Sequence, residues 1–72
     1  MKAIAAMELM INGEKREFGA PLSVAGLLAS LSLEPQKIAV ERNREIVPKS
    51  AYAATGLADG DRIEIVQFVG GG

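Results

Sequence analysis

The chain contains no cysteine, no histidine and no tryptophan, and its 72 residues include two phenylalanines and one tyrosine. Each absence removes a class of chemistry. Without cysteine there are no disulfides, no thiolate metal sites and no thiol nucleophile. Without histidine the usual general base and the commonest metal ligand are gone, so no metal site is expected. Eight basic residues stand against nine acidic ones, for a net charge of -1. No run of Lys or Arg forms a stripe, so phosphate-backbone binding has little electrostatic support. So few aromatics also leave no stacking platform for bases, and no nucleic-acid partner is expected. No apolar run is long enough to span a membrane. The opening "MKAIAAMELM" imitates a secretory leader, but Glu8 breaks it before it reaches the length of an apolar leader core. A cytoplasmic protein without a membrane partner is the expectation. The length allows one small domain, 1-72, near the lower limit for folding alone and burying only about 60% of its unfolded surface. A self-contained enzyme is not expected.

What is present is ordered by period. Met7, Leu9 and Ile11 alternate with Glu8, Met10 and Asn12, the pattern of a half-buried strand. Residues 1-6 are read as an N-terminal extension. Asn12-Gly13 is a strong hairpin signal, because both positions tolerate the positive φ of a type I′ turn. Glu14 to Phe18 forms the return strand, with Arg16 and Phe18 on one face. Ser23 is placed to cap a helix whose Val24, Leu27, Leu28 and Leu31 make one apolar stripe. Gly26 inside that helix is read as a tolerated imperfection in preference to a close-packing device. Pro35 stops the helix. Ile38 to Glu41 is a third strand, Arg42-Asn43-Arg44 a polar connection, and Glu45 to Val47 a short strand that Pro48 confines to a sheet edge. Lys49 to Thr55 suits a helical turn anchored by Tyr52. Asp59-Gly60-Asp61 is read as a turn, since the other ligand positions of a calcium loop are missing.

The last strand, Arg62 to Val69, carries the most information. Ile63 and Ile65 face the helix, while Arg62, Glu64, Val66 and Phe68 share the other face. That face begins polar and turns apolar toward the chain end. Local packing against Tyr52 or the N-terminal segment would explain it, and so would a docking patch made by Val66, Phe68 and Val69. Beyond it come Gly70, Gly71 and Gly72, read as a flexible tail, since glycines cannot hold a fold together. Such a tail is either a frayed end or an arm whose terminal carboxylate is the functional group. Extended, Val69 to Gly72 span about 13 Å at about 3.3 Å each, enough to enter a cleft while the folded body stays outside.

One helix on one face of a mixed sheet of four to five strands, with the last strand central and parallel to the first, is the α+β β-grasp, or ubiquitin-like, fold. Over residues 7-72 the chain resembles the ThiS family, the thiamine-biosynthesis sulfur carrier proteins. The matching segments are Ile11-Asn12-Gly13, the Ser23-Val24 helix start with Leu27-Leu28, "NREIVPKSAY", "LADGDRIEIV" and the terminal "VGGG". The resemblance implies a protein co-substrate that binds no cofactor of its own. A ThiF-like adenylating enzyme would use ATP and magnesium to convert the Gly72 carboxylate into an acyl-adenylate. Sulfur from a cysteine desulfurase-derived donor would then make a thiocarboxylate, and a ThiG-like thiazole synthase would receive that sulfur. The small subunit of molybdopterin synthase, a ubiquitin-like protein modifier and a passive binding module remain as alternatives.

Overall fold

The structure, a computed structural model, describes residues 5-68. Strands β1 (Ala6–Ile11) and β2 (Glu14–Gly19) form the opening hairpin, helix α1 (Val24–Ser30) follows, and β3 (Ile38–Arg42), β4 (Glu45–Val47) and β5 (Arg62–Gln67) complete the sheet. Short 3-10 turns cover Pro35–Lys37 and Lys49–Ala51. The sheet order is β2-β1-β5-β3-β4. β5 lies parallel to β1 and antiparallel to β3, so the last strand is central and the sheet is mixed, as the sequence predicts.

Alternation in β1 places Met7, Leu9 and Ile11 in the core. Asn12 and Gly13 take φ of 49° and 85°, the pair of positive values that a type I′ turn requires. β1 starts at Ala6, which pairs with Gly19, and Ala5 accepts a hydrogen bond from Ala20 N at 2.9 Å. The hairpin therefore reaches into the stretch expected as an extension; residues 1-4 of that stretch lie outside the described residues.

Ser23 caps α1, its hydroxyl accepting from Gly26 N at 3.0 Å. Val24, Leu27 and Leu28 are fully enclosed against the sheet, each contributing roughly 1.5–3 kcal/mol. A helix of seven residues depends on that packing, because isolated helices so short do not persist in water. The helix ends earlier than Pro35 requires. Ser32 adopts φ 59°, its N–H bonds to Ala29 O, and Leu33 N bonds to Leu28 O, the two bonds of a Schellman cap. Leu31 is thus the C-cap residue and only partly buried. A Cβ on Gly26 would stand 3.1 Å from Leu22 Cδ1. That neighbour is the end of a leucine side chain, which would have to give by a few tenths of an ångström to admit the Cβ.

Tyr52 is buried and its hydroxyl points at Ile38 O, 3.5 Å away; burial raises the phenol's pKa. β4 is an edge strand, where Pro48 needs no ladder partner. The connection Arg42-Asn43-Arg44 is tighter than expected. Asn43 and Arg44 take φ of 52° and 72°, and Arg42 pairs directly with Glu45, so this too is a two-residue hairpin turn.

Candidate functional site

The candidate site is the end of β5 and the face around it. β5 is held along its whole length. Asn12 Oδ1 accepts from Ile65 N at 2.7 Å while its Nδ2 donates to Ile65 O at 3.1 Å. That side chain prolongs the β1–β5 pairing after β1 has turned away. On the other side Asn43 Oδ1 accepts from Arg62 N at 2.9 Å and its Nδ2 donates to Asp61 Oδ1 at 2.9 Å. Ile38 pairs with Gln67, and Phe68 N donates to Lys37 O at 2.8 Å. The chain is therefore fixed to backbone partners through Phe68, the last described residue.

Asp61 organises the start of the strand. It is 7% exposed and accepts from Arg42 Nε at 2.7 Å, Asn43 Nδ2 at 2.9 Å and Ala58 N at 2.8 Å. Burial alone would raise its pKa. The hydrogen bonds from Asn43, Ala58 and Arg42, with the Arg42 charge, outweigh burial and hold it below the usual carboxylate range. Its oxygens thus face donors from this chain. Asp59 Oδ1 likewise accepts from Glu8 N at 2.7 Å. Both aspartates serve the turn, and Gly60 takes the φ of 88° that the turn demands.

At the other end of the strand Val66 and Phe68 are 57% and 55% exposed. Local packing does not cover them, and Tyr52 lies in the core instead. Lys49 is the one side chain set over Phe68 among the described residues: its Nζ stands 5.6 Å from the ring centroid and donates to Ile38 O at 3.0 Å. Val69, Gly70, Gly71 and Gly72 lie outside the described residues. The structure adds Ile46, 77% exposed on β4. Alternation could have found it, since Val47 beside it must point inward. Lys49 carried no comparable signal.

On the helix side of β5 a groove of about 340 Å³ runs between Leu31, Leu33, Ile65 and Gln67, with Arg16 and Glu14 at its rim, and it gathers no nucleophile. Among the described residues no group of three acidic side chains could hold a metal ion, and no helix is long and apolar enough to cross a membrane.

One helix on a mixed five-stranded sheet whose last strand is central and parallel to the first is the β-grasp, or ubiquitin-like, class of fold. The ThiS family model matches residues 9–72, and the chain belongs to that family. It is 46% identical to the sulfur carrier protein ThiS of Bacillus subtilis, the match covering 89% of this chain and 98% of that protein. It is 56% identical to a thiazole synthase of Paramagnetospirillum magneticum, covering 92% of this chain but only 20% of that protein. The chain thus spans about a fifth of that relative's length. The crystal structure of the thiamine biosynthesis protein ThiS from Geobacter metallireducens superposes with a TM-score of 0.79 at 35% identity, covering 92% of this chain and 100% of that one.

Proposed function

We propose that this chain is a sulfur carrier of thiamine biosynthesis and that the Gly72 carboxylate is the atom group that carries the sulfur. A carboxylate resists attack because its charge repels nucleophiles and oxide is a poor leaving group. A ThiF-like partner would use ATP and magnesium to join the carboxylate to AMP, releasing pyrophosphate. A persulfide from a cysteine desulfurase-derived donor would attack the acyl carbon and expel AMP. A second thiol would cleave the resulting acyl disulfide and leave the thiocarboxylate. A thiazole synthase of the ThiG type would take that sulfur. The thiazole synthase of Paramagnetospirillum magneticum contains a region similar to this chain, which supports such an acceptor. Val66, Phe68 and Val69 would dock the partners, and Gly70 and Gly71 would thread where a Cβ would clash.

The observation that carries this reading is the pinning of β5 through Phe68. It fixes the end of the described strand at Phe68, beside exposed apolar side chains. The family match favours the reading over the molybdopterin synthase small subunit and over a protein modifier.

Intact mass tests it. With its adenylating enzyme, ATP, magnesium, cysteine desulfurase and cysteine, the chain should exchange one oxygen for sulfur, in the peptide that contains Gly72. Removal of Gly72 should abolish the gain and leave the unfolding midpoint in place. An unchanged mass with active partners, and no adenylate to trap, sinks the proposal.

A further inference from the structure

We propose that Lys49 is a positioning residue for the reacting chain end. Its ammonium ties the Phe68 ring to the backbone of β3 and so fixes the point from which the last four residues continue. This inference rests on the carrier reading and adds to that site a side chain that acts through Phe68.

Among the described residues the end of β5 has backbone partners on one side. Towards β1 the strand pairing runs to Ile11 opposite Ile63, and the Asn12 amide extends it to Ile65. Past Ile65 the partners come from the β3 side: Ile38 opposes Gln67, and Lys37 O accepts from Phe68 N at 2.8 Å. A strand end paired along one edge is where opening starts.

β3 is itself short of a partner at this level. The β3–β4 register sets Val40 opposite Val47, and its continuation would set Lys49 opposite Ile38. The chain departs instead at Pro48 into the 3-10 turn Lys49–Ala51, which Tyr52 anchors in the core. The Lys49 side chain returns to the vacated place and donates to Ile38 O at 3.0 Å. The Tyr52 hydroxyl reaches the same oxygen only at 3.5 Å, the outer limit of a hydrogen bond. The open carbonyl accounts for the hydrogen bond but not for the ring. From the same position Nζ stands 5.6 Å from the Phe68 centroid, within the range of about 6 Å over which a cation is drawn to an aromatic face. One ammonium thus joins the turn after β4, the start of β3 and the last described residue after β5.

The carrier chemistry gives this junction a use. The Gly72 carboxylate has to be aligned first with the α-phosphorus of ATP, and its acyl carbon afterwards with a sulfur nucleophile. Freedom at the root of the reacting segment must be removed before either alignment. A Phe68 already fixed in the free protein removes part of that cost in advance.

The test has one arm in the free protein and one in the reaction. Lys49→Met keeps the stem and removes the charge. Amide exchange at Phe68 should quicken about two- to fivefold, the range of a cation–π contact at an exposed site, while the unfolding midpoint barely moves. Pyrophosphate release by a ThiF-like enzyme, followed against carrier concentration, should show kcat/KM lower by a similar factor. Lys49→Arg, whose guanidinium also stacks on aromatic faces and donates, should restore both. In a Phe68→Leu background Lys49→Met should have little further effect, because the ring it acts through is gone. Lys15→Met makes the same charge change level with Arg62, at the opposite end of β5 from Phe68, and should behave as the parent. Unchanged exchange at Phe68, or an unchanged kcat/KM, overturns the inference. So does a loss that persists in full beside Leu at position 68, which would make Lys49 a direct contact, and so does an equal loss in Lys15→Met. If the parent releases no pyrophosphate and gains no thiocarboxylate, the carrier reading fails and takes the positioning role with it. A parent that does both, beside a Lys49→Met variant of normal kcat/KM, condemns the inference alone.

Discussion

The two hairpin turns of this fold solve one problem with different residues. Both begin with an asparagine in the left-handed region, φ 49° at Asn12 and 52° at Asn43. Both asparagines send their backbone N–H and their amide to β5: Asn12 N to Ile63 O and its side chain to Ile65, Asn43 N to Arg62 O and its side chain to Arg62 N. The turns differ in the next residue. Gly13 takes φ 85° without penalty, whereas Arg44 takes φ 72° with a Cβ, a conformation that costs a non-glycine residue roughly 1–2 kcal/mol. The difference teaches that asparagine is needed for its amide and glycine only for its backbone. Where neighbours over-determine the turn, the glycine can be dispensed with. At Asn43 the neighbour is Asp61, which holds Arg42 and Asn43 together.

The comparison breaks most visibly at Asp61. Asp61→Ala strands the Arg42 guanidinium, the Asn43 amide and the Ala58 N–H, and should cost about 2–3 kcal/mol in urea unfolding. Amide exchange should rise first at Asn43 and Ala58 and leave Asn12 protected; equal loss at both turns would show that Asp61 does not brace one of them selectively. The same carboxylate sets an acid dependence. Its pKa is lower in the folded state than in the unfolded chain. Its contribution is therefore complete above the unfolded carboxylate value of about 3.9 and is lost as pH falls through the folded value. Unfolding midpoints measured down this range should fall less steeply for Asp61→Asn than for the parent.

Smaller effects come from the straps. Asn12→Ala and Asn43→Ala should each cost about 1–2 kcal/mol, combining lost amide bonds with a disfavoured φ. Asn12→Asp keeps the acceptor for Ile65 N and should recover part of the loss, whereas Asn43→Asp sets a second carboxylate against Asp61 and should recover none. A neutral Asn12→Ala would mean that Gly13 alone defines the first turn.

The smallest pair exchanges the second residues. Arg44→Gly should stabilise by about 0.5–1 kcal/mol, the relief of φ offset by the entropy of a glycine. Gly13→Arg should destabilise by about 1 kcal/mol. Equal and opposite shifts in thermal midpoint would show that only backbone conformation distinguishes the two positions.

The same contrast explains what could be read in advance. Met7, Leu9 and Ile11 announce β1 by alternation, Asn12-Gly13 announces its turn, and Val24, Leu27 and Leu28 announce the helix, because each signal is local. The second turn was legible only as a polar connection, since Asn-Arg has no turn signature and its support comes from a residue nearly twenty positions away. The helix end at Ser32 was hidden for the same reason: a Schellman cap without glycine leaves no mark, so Pro35 drew the boundary. Asp61 was read as part of a turn, which it is, but the inward aim of its carboxylate depends on tertiary neighbours. At the site, the outward facing of Val66 and Phe68 was visible in the period of β5. The placing of Lys49 over Phe68 was not, because it depends on the registers of β3 with β4 and β5, a property of the folded sheet.

The central position of β5 also governs how the chain is made. Without Arg62–Gln67 the sheet order β2-β1-β5-β3-β4 falls into two separate hairpins, and two-stranded hairpins are marginally stable in water. A ribosome therefore releases no finished fold until this strand has been synthesised. Products interrupted before it offer proteases two loose ribbons, while a chain that reaches Phe68 can close. Closure of the sheet is thus conditional on synthesis of its last described strand.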